Sequence, residues 1–468
     1  MSSEIRKQEV TLTQMLDVRE RRACHQRELL MQYQKPLLCF TMNIAGPVKN
    51  SHLIRRGFQA GLSDVKLQLQ RVKSKILYQE VWSEVTGNEA FLVVDMDGYT
   101  LKSFVCELED ADALGRLYDM DVLLPSPDEP LFPQKIDRTD LGKPARTCLI
   151  CGGPAKECAS RRLHSLEDLQ RKTKQILDQS LKERDASRIA ELAVRSLLYE
   201  VSVTPKPGLV DRFDNGSHKD MDFYSFLNSA SALWPYFYEC ACLGLEYADS
   251  PEPSLPELFT RLRQPGKFAE NRMLHATDGV NTHKGAIFSM GILCAAIGAV
   301  LPEHRAEPEM ILHTCAAMTV GLTASDYCHL TEKTAITAGQ RFYLQYGITG
   351  VRGEIEAGLP VVAQYGLPLL EKLLAEGKGV DEAGSAVLLT IMAHMTDTNL
   401  IARSDLSTQK QTAELAEDVL NRTGCPSRNT LDLMNQEFVK KNLSPGGSAD
   451  MLAICWMLHF ISQELLLL

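Results

Sequence analysis

Residues 165–185 read SLEDLQRKTKQILDQSLKERD, and this segment decides how the chain is divided. It contains no glycine or proline, and charged side chains are spread along its whole length. Such a composition favours a solvent-exposed helix over a strand or a loop. The sequence patterns before and after the segment differ. We therefore predict a charged helical linker at 169–185 between an N-terminal domain, 1–168, and a C-terminal domain, 186–468.

The length and composition of the chain agree with two globular domains. Its 468 residues exceed what one hydrophobic core usually serves, and 44% of them are hydrophobic. The net charge of -10 argues against binding to DNA or RNA, because nucleic-acid affinity rests on neutralised phosphates. The 13 scattered cysteines, and a start without an apolar core, predict a cytoplasmic protein.

The N-terminal part mixes strand and helix patterns. The apolar runs at 36–43 (PLLCFTMN) and 90–95 (AFLVVD) have the length of strands. Residues 101–107 alternate enough to predict a third strand, and residues 18–34 are charged and helical in period. We expect an α+β domain with hairpin-like strands.

The C-terminal part is helical in period nearly throughout, so we expect a mostly α-helical domain. Residues 285–302 (GAIFSMGILCAAIGAVLP) carry no charge and are at the lower length limit for a membrane span. Their small residues and the proline-containing end of the run favour a buried core helix instead. The run at 451–468 is interrupted by polar residues and predicts a docked helix. No association with a membrane is expected.

Residues 115–122 (GRLYDMDV) carry two aspartates that are two positions apart. In a strand, Asp119 and Asp121 would lie on the same face. Two carboxylates at this spacing suit Mg²⁺ that is held between the protein and substrate phosphates, as nucleotidyl transfer requires. The alternative is an exposed strand end with two solvated carboxylates. Asp119 and Asp121 are candidate catalytic residues and metal ligands.

A basic, cysteine-containing loop follows the aspartate pair. Cys148, Cys151, Cys158 and His164 could form a structural zinc site, although their spacing is not one of the usual ones. The alternative is a compact loop with buried thiols. Guanidinium groups bind phosphate oxygens bidentately, so the arginines of this region are candidate substrate-binding residues. They are Arg146, Arg161 and Arg162.

These motifs occur in order with Arg19-Glu20-Arg21, with 40–44 (FTMNI) and with Gly46-Pro47-x-Lys49. Together they resemble the phosphoribosyl-dephospho-coenzyme A transferase family of apo-citrate lyase, over most of residues 10–168. The resemblance implies transfer of a phosphoribosyl-dephospho-coenzyme A unit from its triphosphate to a serine of the citrate lyase acyl carrier (gamma) subunit, with release of pyrophosphate. It adds Lys49 and Arg116 to the candidate substrate-binding residues.

Four loops of the C-terminal part combine glycine or proline with charged residues. Two prolines fix the backbone of the first loop, and the second opens the apolar helix, where Asn281 or Thr282 can cap a helix start that binds anions. Any one of these loops is more often structural than catalytic, so the prediction of a triphosphate site rests on the set. The loops are 204–211 (TPKPGLVD) with 215–220 (NGSHKD), 279–285 (GVNTHKG), 350–354 (GVRGE) and 444–450 (SPGGSAD).

The candidate residues in these loops divide by role. Asp211 and His283 are candidate catalytic residues, and Asp211 is also a candidate metal ligand. Asp220, Glu354 and Asp397 are further acidic candidates for a metal. The candidate substrate-binding residues are Lys206, His218, Lys219, Lys284, Arg352, Gly446 and Gly447.

With 200–202 (EVS) and 218–223 (HKDMDF), the loops resemble the triphosphoribosyl-dephospho-coenzyme A synthase family over about residues 185–468. The resemblance implies that ATP and 3'-dephospho-coenzyme A are joined, with an expected Mg²⁺, and that adenine is released. Arg403-Ser404-Asp405 departs from an expected Arg-Gly-Gly, and Asp405 would add negative charge if that loop approaches a ligand.

The two resemblances together imply one bifunctional transferase whose ligands are small-molecule nucleotides and a carrier protein. Two alternatives stay open. The same chemistry could serve malonate decarboxylase, or the chain could be a carrier-binding chaperone with one inactive domain.

Overall fold

The computed structural model describes residues 8–126, 133–250 and 252–464, and the chain divides into two compact units. The first unit runs to Lys182, and the second begins at Glu183. The helix α5, Leu166–Ser202, contains this division. The units therefore meet inside the segment that the sequence predicts as a linker.

The first unit is an antiparallel five-stranded sheet with helices on both faces. The strand order is β2-β3-β1-β4-β5. Its elements before α5 are α1 (Leu12–Tyr33), β1 (Leu37–Met42), α2 (His52–Arg71), β2 (Ile76–Glu84), β3 (Gly87–Val94), α3 (Gly98–Ala111), β4 (Tyr118–Leu124), β5 (Gln134–Ile136) and α4 (Ala155–Arg161).

The central strand β1 explains why the run at 36–43 is continuously apolar. Leu38 and Phe40 belong to the core that the sheet shares with α2 and α3. Leu37 and Cys39 point to the opposite face, toward α1. Because both faces are covered, the strand does not alternate between apolar and polar residues. The strands predicted around 36–43 and 90–95 are confirmed as β1 and β3.

The prediction of a strand at 101–107 is wrong, because these residues lie in the helix α3. Asp97 caps this helix by accepting a hydrogen bond from the Thr100 N–H at 2.9 Å. Leu101 and Val105, four positions apart, are both buried in the core. This spacing places them on one helical face, and it decides the structure over the local alternation.

The second unit is helical, and the residues described in it, 183–250 and 252–464, contain no strand. This confirms an α+β domain followed by a mostly α-helical one. After α5 its helices are α6 (Phe223–Ala232), α7 (Trp234–Ala248), α8 (Leu255–Ala276), α9 (Lys284–Ala299), α10 (Pro308–Met318), α11 (Leu322–Tyr327), α12 (Ala338–Tyr346), α13 (Val351–Glu356), α14 (Leu367–Ala375), α15 (Val380–His394), α16 (Thr398–Arg403), α17 (Leu406–Thr423), α18 (Arg428–Lys440) and α19 (Gly446–Glu464).

Helix α9 is the buried core helix that the sequence predicts at 285–302. A side chain on Gly298 would collide with the Ala241 carbonyl of α7, and one on Gly244 would collide with the Ala295 carbonyl of α9. The small residues therefore let the two backbones approach closely. Helix α19 is likewise buried along most of its length, as predicted for the C-terminal run; residues 465–468 of that run lie outside the described residues. Within the residues that the structure describes, no helix is both long and apolar enough to cross a membrane.

The segment at 165–185 is helical as predicted, but it is not solvated on all sides. Ile176 and Leu177 are buried in the core of the first unit. Asp185, already in the second unit, is buried and accepts a hydrogen bond from Arg305 at 2.6 Å. The sequence pattern did not predict this buried side of the helix, because its few apolar residues lie among many charged ones.

Candidate active sites

The predicted aspartate pair lies on strand β4 of the first unit. Asp119 and Asp121 share a face with Leu123, which packs in the cluster that contains α1 residues. Met120 and Val122 are buried on the opposite face. The predicted strand and the shared face of the two carboxylates are both confirmed.

The two carboxylates have different surroundings. Asp121 Oδ1 lies 2.6 Å from Lys135 Nζ on strand β5. The carboxylate of Asp119 makes no hydrogen bond or ion pair with any other residue in the described part of the chain. Burial, and then the charge of Asp121, raises the pKa of Asp119. Two hard oxygen ligands, one of them without a protein partner, fit a Mg²⁺ ion shared with substrate phosphates.

A cavity of about 190 Å³ adjoins Asp119 at the end of the sheet. Lys49 lines it, and burial followed by the charge of Arg19 lowers the pKa of Lys49. Arg22 of α1 pairs with Glu89 of β3, with 2.8 Å between Nε and Oε2. The cavity thus combines several cationic groups with the unpaired carboxylate, which suits a phosphate and a divalent cation together.

A second cavity, of about 610 Å³, is lined by Arg116, Arg146 and Arg162. Asn43 lines this cavity and the one beside Asp119. Arg146 Nη1 donates to the Tyr118 carbonyl at 2.7 Å, so its guanidinium is fixed next to the strand that carries the aspartates. The two cavities are therefore neighbours on the first unit.

Not all four arginines predicted to bind substrate meet at this cavity. Arg116 does, while its Nη2 also donates to the Thr147 carbonyl at 2.5 Å. Arg161 is exposed, pairs with Glu157 at 2.9 Å and does not line the cavity. Three of the four predicted zinc ligands, Cys148, Cys158 and His164, also line this cavity.

In the second unit, Lys206 is buried rather than presented on a surface loop. It is 2% exposed, and its ammonium pairs with the carboxylate of Glu200, which is also buried. Burial raises the pKa of Glu200, although the charge of Lys206 opposes this. Glu200 belongs to the motif at 200–202, but no role is predicted for it from the sequence.

Asp211 organises the loop that contains Lys206. Its Oδ2 accepts the Lys206 N–H at 3.1 Å. Its Oδ1 accepts the N–H groups of Phe213 at 2.8 Å and Asp214 at 3.0 Å. Both carboxylate oxygens of Asp211 therefore accept hydrogen bonds from backbone N–H groups, so holding this loop is a sufficient structural role for the residue. Its predicted role as a catalytic group and metal ligand stays a prediction.

His283 is a buried neutral imidazole with one free ring nitrogen. Its Nδ1 lies 2.7 Å from Ser229 Oγ, and its ring meets the Phe226 ring edge-on. Its Nε2 is buried and has no hydrogen-bond partner among the described residues. Burial and then the charge of Lys206 lower the pKa of His283 to about 3. The Nε2 atom of this neutral imidazole could therefore donate or accept a hydrogen bond with a bound ligand.

The loop 444–450 is fixed to the start of α16 by a buried carboxylate. Asp397 Oδ2 accepts hydrogen bonds from the Ser448 N–H at 2.8 Å and the Ser448 hydroxyl at 2.9 Å. Its Oδ1 accepts the Asn399 N–H at 2.9 Å. One N–H group at the start of α19 is therefore already bound. The predicted phosphate contacts of Gly446 and Gly447 stay predictions.

Asp450 lies in the motif at 444–450, but it was not among the candidate functional residues predicted from the sequence. A side chain on Gly285 would collide with Asp450 Oδ2, so the loops 279–285 and 444–450 touch here. Burial and then the charges of Glu200 and Asp397 raise the pKa of Asp450 well above its usual value. We call the group of Glu200, Lys206, His283, Asp397 and Asp450 the central polar cluster.

His218 and Arg403 connect further loops to this region. His218 Nε2 lies 2.9 Å from Ser444 Oγ, and its Nδ1 lies 3.0 Å from Arg403 Nη2. Burial and then the charge of Arg403 lower the pKa of His218 to about 4. Asp405 is exposed and caps α17 by accepting the Thr408 N–H at 2.7 Å. The departure from Arg-Gly-Gly thus supplies a helix cap.

The remaining predicted residues lie nearer the surface. Lys284 is 54% exposed and pairs with Glu270 at 2.9 Å, and its backbone N–H donates to Asn281 Oδ1 at 3.2 Å. The N-cap position of α9 is His283, whose side chain makes no capping bond, so neither Asn281 nor Thr282 occupies the cap position. Arg352 pairs with Asp326 at 2.9 Å. Lys219 and Asp220 are exposed.

The fourth loop, 350–354, comes close to the region through Gly350, where an added Cβ would lie 3.2 Å from Thr398 Cγ2. Burial raises the pKa of Glu354 in this loop.

Comparison with known proteins divides the chain in the same way. Residues 10–180 match the CitX family, described as apo-citrate lyase phosphoribosyl-dephospho-CoA transferase. Residues 186–466 match the CitG family, described as ATP:dephospho-CoA triphosphoribosyl transferase.

Two relatives span nearly the whole chain. A protein CitXG of Haemophilus influenzae is 34% identical over 462 residues, which is 95% of each chain. A protein CitXG of Leuconostoc mesenteroides subsp. cremoris is 33% identical over 463 residues, 95% of this chain and 96% of its own. A 2-(5''-triphosphoribosyl)-3'-dephosphocoenzyme-A synthase of Pectobacterium atrosepticum is 39% identical over 277 residues, 59% of this chain and 90% of its own.

Proposed function

The chain belongs to the family of fused CitX and CitG proteins, and from this membership we propose which of its residues carry out the two reactions. It is a bifunctional transferase. One activity makes triphosphoribosyl-dephospho-coenzyme A from ATP and 3'-dephospho-coenzyme A. The other transfers phosphoribosyl-dephospho-coenzyme A to the acyl carrier protein of citrate lyase.

For the transfer reaction, the proposal rests on Asp119, a carboxylate without a protein partner beside a cation-lined cavity. Asp119 and Asp121 would hold Mg²⁺, which when bound offsets the charge on the phosphates. Lys49 faces the same space and would bind phosphate oxygens. Arg116 and Arg162 would bind the remainder of the nucleotide in the cavity of about 610 Å³.

The acceptor in this reaction is proposed to be a serine hydroxyl of the carrier protein. That hydroxyl attacks the phosphorus nearest the ribose, its proton leaves, and the bond to pyrophosphate breaks. The match of residues 10–180 to the apo-citrate lyase phosphoribosyl-dephospho-CoA transferase family favours citrate lyase over malonate decarboxylase as the client enzyme. The 13 free cysteines among the described residues agree with a reducing cytoplasm as the compartment.

For synthesis of the triphosphate, we infer that the central polar cluster surrounds the reacting ribose. The 2'-hydroxyl of dephospho-coenzyme A attacks the anomeric carbon of ATP, the bond to adenine breaks, and adenine takes up a proton. Developing positive charge on the ribose favours a nearby carboxylate. The carboxyl group of Asp450 makes no hydrogen bond to another described residue, and burial raises its pKa well above its usual value, which favours the protonated form that a general acid needs.

His283 would hydrogen-bond the nucleotide through Nε2. Its low pKa keeps it neutral, so it is proposed to orient a polar group rather than to neutralise phosphate. Lys206 would act by holding Glu200 and the loop around it. These assignments differ from the expectation for Lys206 from its sequence alone, because its ammonium is paired inside the protein.

The experiment that tests the overall function is an intact-mass measurement. We expect the citrate lyase carrier protein to gain one phosphoribosyl-dephospho-coenzyme A unit when it is incubated with this chain, ATP and dephospho-coenzyme A. Adenine should appear in the same reaction even without the carrier. Unchanged carrier mass with adenine released would assign the chain only the first reaction. No change in either would favour a carrier-binding chaperone.

Substitution of His283 by glutamine should slow adenine release without altering its pH dependence. Glutamine can keep the bond to Ser229 but cannot reproduce the Nε2 position, so we expect kcat/KM to fall roughly tenfold. Since the pKa of His283 is about 3, the imidazole is neutral at pH 6 and at pH 8. The ratio of the variant's rate to that of the original chain should therefore be equal at both pH values.

The matched control for this experiment is His313→Gln, an exposed histidine on α10. A ratio that changes across this pH range would mean that His283 titrates during turnover. That result would contradict its assignment as a neutral hydrogen-bonding group.

A cut after Lys182 should give two working enzymes. We expect residues 183–468 to release adenine alone, and residues 1–182 to modify the carrier only with preformed triphosphoribosyl-dephospho-coenzyme A. The position avoids Ile176 and Leu177, which belong to the first core. The Pectobacterium synthase, whose match covers 59% of this chain and 90% of its own length, supports independent folding of the synthase unit.

The fragments should be compared with the intact chain by calorimetry and by both assays. Mixing them should restore the overall reaction, more slowly if fusion raises the effective concentration. A C-terminal fragment that melts cooperatively yet releases no adenine would contradict separability of the two units.

A further inference from the structure

We propose that Cys148, Cys151, Cys158 and His164 bind one structural zinc ion in the first unit. Their ligand atoms all lie within 4.8 Å of one another. Tetrahedral zinc with Zn–S distances of about 2.3 Å separates its sulfur ligands by about 3.8 Å. The sulfurs of Cys151 and Cys158 are 3.5 Å apart, which is close to this separation and far longer than a disulfide bond of about 2.0 Å.

The backbone forms a tight turn that presents two of the sulfurs together. The Cys148 N–H donates to the Gly153 carbonyl at 2.6 Å, and the Gly152 N–H donates to the Cys148 carbonyl at 3.1 Å. Gly152 has φ +73, which a glycine adopts without strain. The Ile150 N–H points at Cys148 Sγ from 3.5 Å. Backbone N–H groups directed at cysteine sulfur stabilise a thiolate, which is the form that binds metal.

The other two ligands come from α4 and the residues that follow it. Cys158 is 8% exposed and lies within this short helix. His164 Nε2 is buried, and no described residue supplies it with a hydrogen-bond partner. A buried polar nitrogen without a partner is costly, and a metal ion would satisfy it. Three cysteines and one histidine are a common ligand set of closed, structural zinc sites.

The position of the cluster indicates what the zinc would do. Cys148, Cys158 and His164 line the cavity of about 610 Å³ that Arg116, Arg146 and Arg162 also line. Zinc with three thiolates and a neutral imidazole carries one net negative charge, which the arginines offset. The ion would therefore hold residues 148–164 together as one compact loop, and with it this part of the cavity wall.

The first test is the metal content of the full chain, purified without chelators and measured by elemental mass spectrometry. We expect one zinc ion per chain. Cys151→Ser is the preferred variant, because Cys151 is exposed and its loss leaves little to repack. Loss of a supporting residue around a metal typically weakens binding 10–100-fold, so loss of a ligand should weaken it by at least about tenfold. Cys24→Ser, an exposed cysteine outside the cluster, is the matched control and should retain the ion.

Further readouts do not depend on activity. Cobalt in place of zinc should give thiolate-to-metal charge-transfer absorption that Cys151→Ser weakens and Cys24→Ser preserves. A zinc-selective chelator, added with Mg²⁺ in excess, should lower the melting temperature of the first unit and leave adenine release by the second unchanged. The proposal is overturned if no zinc is bound even after zinc is supplied, if Cys151→Ser retains it, if the ion is iron, or if peptide mapping finds a Cys151–Cys158 disulfide.

Discussion

Asp119→Asn should abolish modification of the carrier protein while adenine release from ATP continues at its original rate. The amide keeps the size of the side chain but loses the charge that would hold Mg²⁺ beside the phosphates. If the ion contributes about 4 kcal/mol to the transition state, its loss lowers the transfer rate about a thousandfold. Supplying preformed triphosphoribosyl-dephospho-coenzyme A isolates this step, and the mass of the carrier reports it.

Asp121→Asn should also slow modification of the carrier protein, but with a second consequence that Asp119→Asn lacks. Asp121 already pairs with Lys135, so its loss also leaves that lysine unpaired on β5. Asp95→Asn is the matched control, because Asp95 is an exposed aspartate at the end of β3 whose only described ion pair is with Lys35. Transfer at the original rate by both Asp119→Asn and Asp121→Asn would show that the pair is a solvated strand end.

Lys206→Ala should unfold the second unit at a markedly lower temperature. The substitution leaves the carboxylate of Glu200 buried without its cation, and breaking a buried pair in this way typically costs about 3–5 kcal/mol. For a unit of this size the cost corresponds to a fall in Tm of about 5–8 °C. Adenine release should also be lost, because the central polar cluster depends on this pair.

The double variant Glu200→Gln/Lys206→Met separates stability from catalysis. Removing both charges should recover most of the Tm, since no buried ion is left uncompensated. Lys372→Ala, an exposed lysine on α14, controls for loss of a surface charge and should change the free energy of unfolding by less than about 1 kcal/mol. Calorimetry of the second transition is the measurement. A single variant as stable as the original chain would mean that Glu200 is reached by water or protonated.

Local sequence rules predicted the strand and the shared face of the aspartate pair in the candidate transferase site. Residues two positions apart in a strand lie on the same face, so Asp119 and Asp121 could be placed together before any tertiary contact was known. The apolar runs of β1 and β3 likewise reflect burial on both faces. The strand prediction at 101–107 was wrong because so short a stretch fits both the strand period and the helix period. Only the cap at Asp97 and the burial of Val105 decide for the helix.

The candidate synthase site could be predicted only as a set of loops. Glu200, Ser229 and Asp450 acquire their importance from partners far away in the sequence, and no local spacing reports such a meeting. The sequence also cannot distinguish a lysine that faces solvent from one that is paired inside a core. Lys206 and Lys284 sit in similar glycine-containing loops, yet one is buried and the other is half exposed.

The contact between Gly285 and Asp450 has a consequence for exchange of segments between relatives. The two positions are distant in the chain, yet a single methyl group at one would displace the carboxylate at the other. A chimera that takes its last helix from another enzyme inherits Asp450 in a new setting, and it must receive a compatible start of α9 with it. Recombination within this half of the chain is therefore constrained to treat the middle and the end as one inherited block.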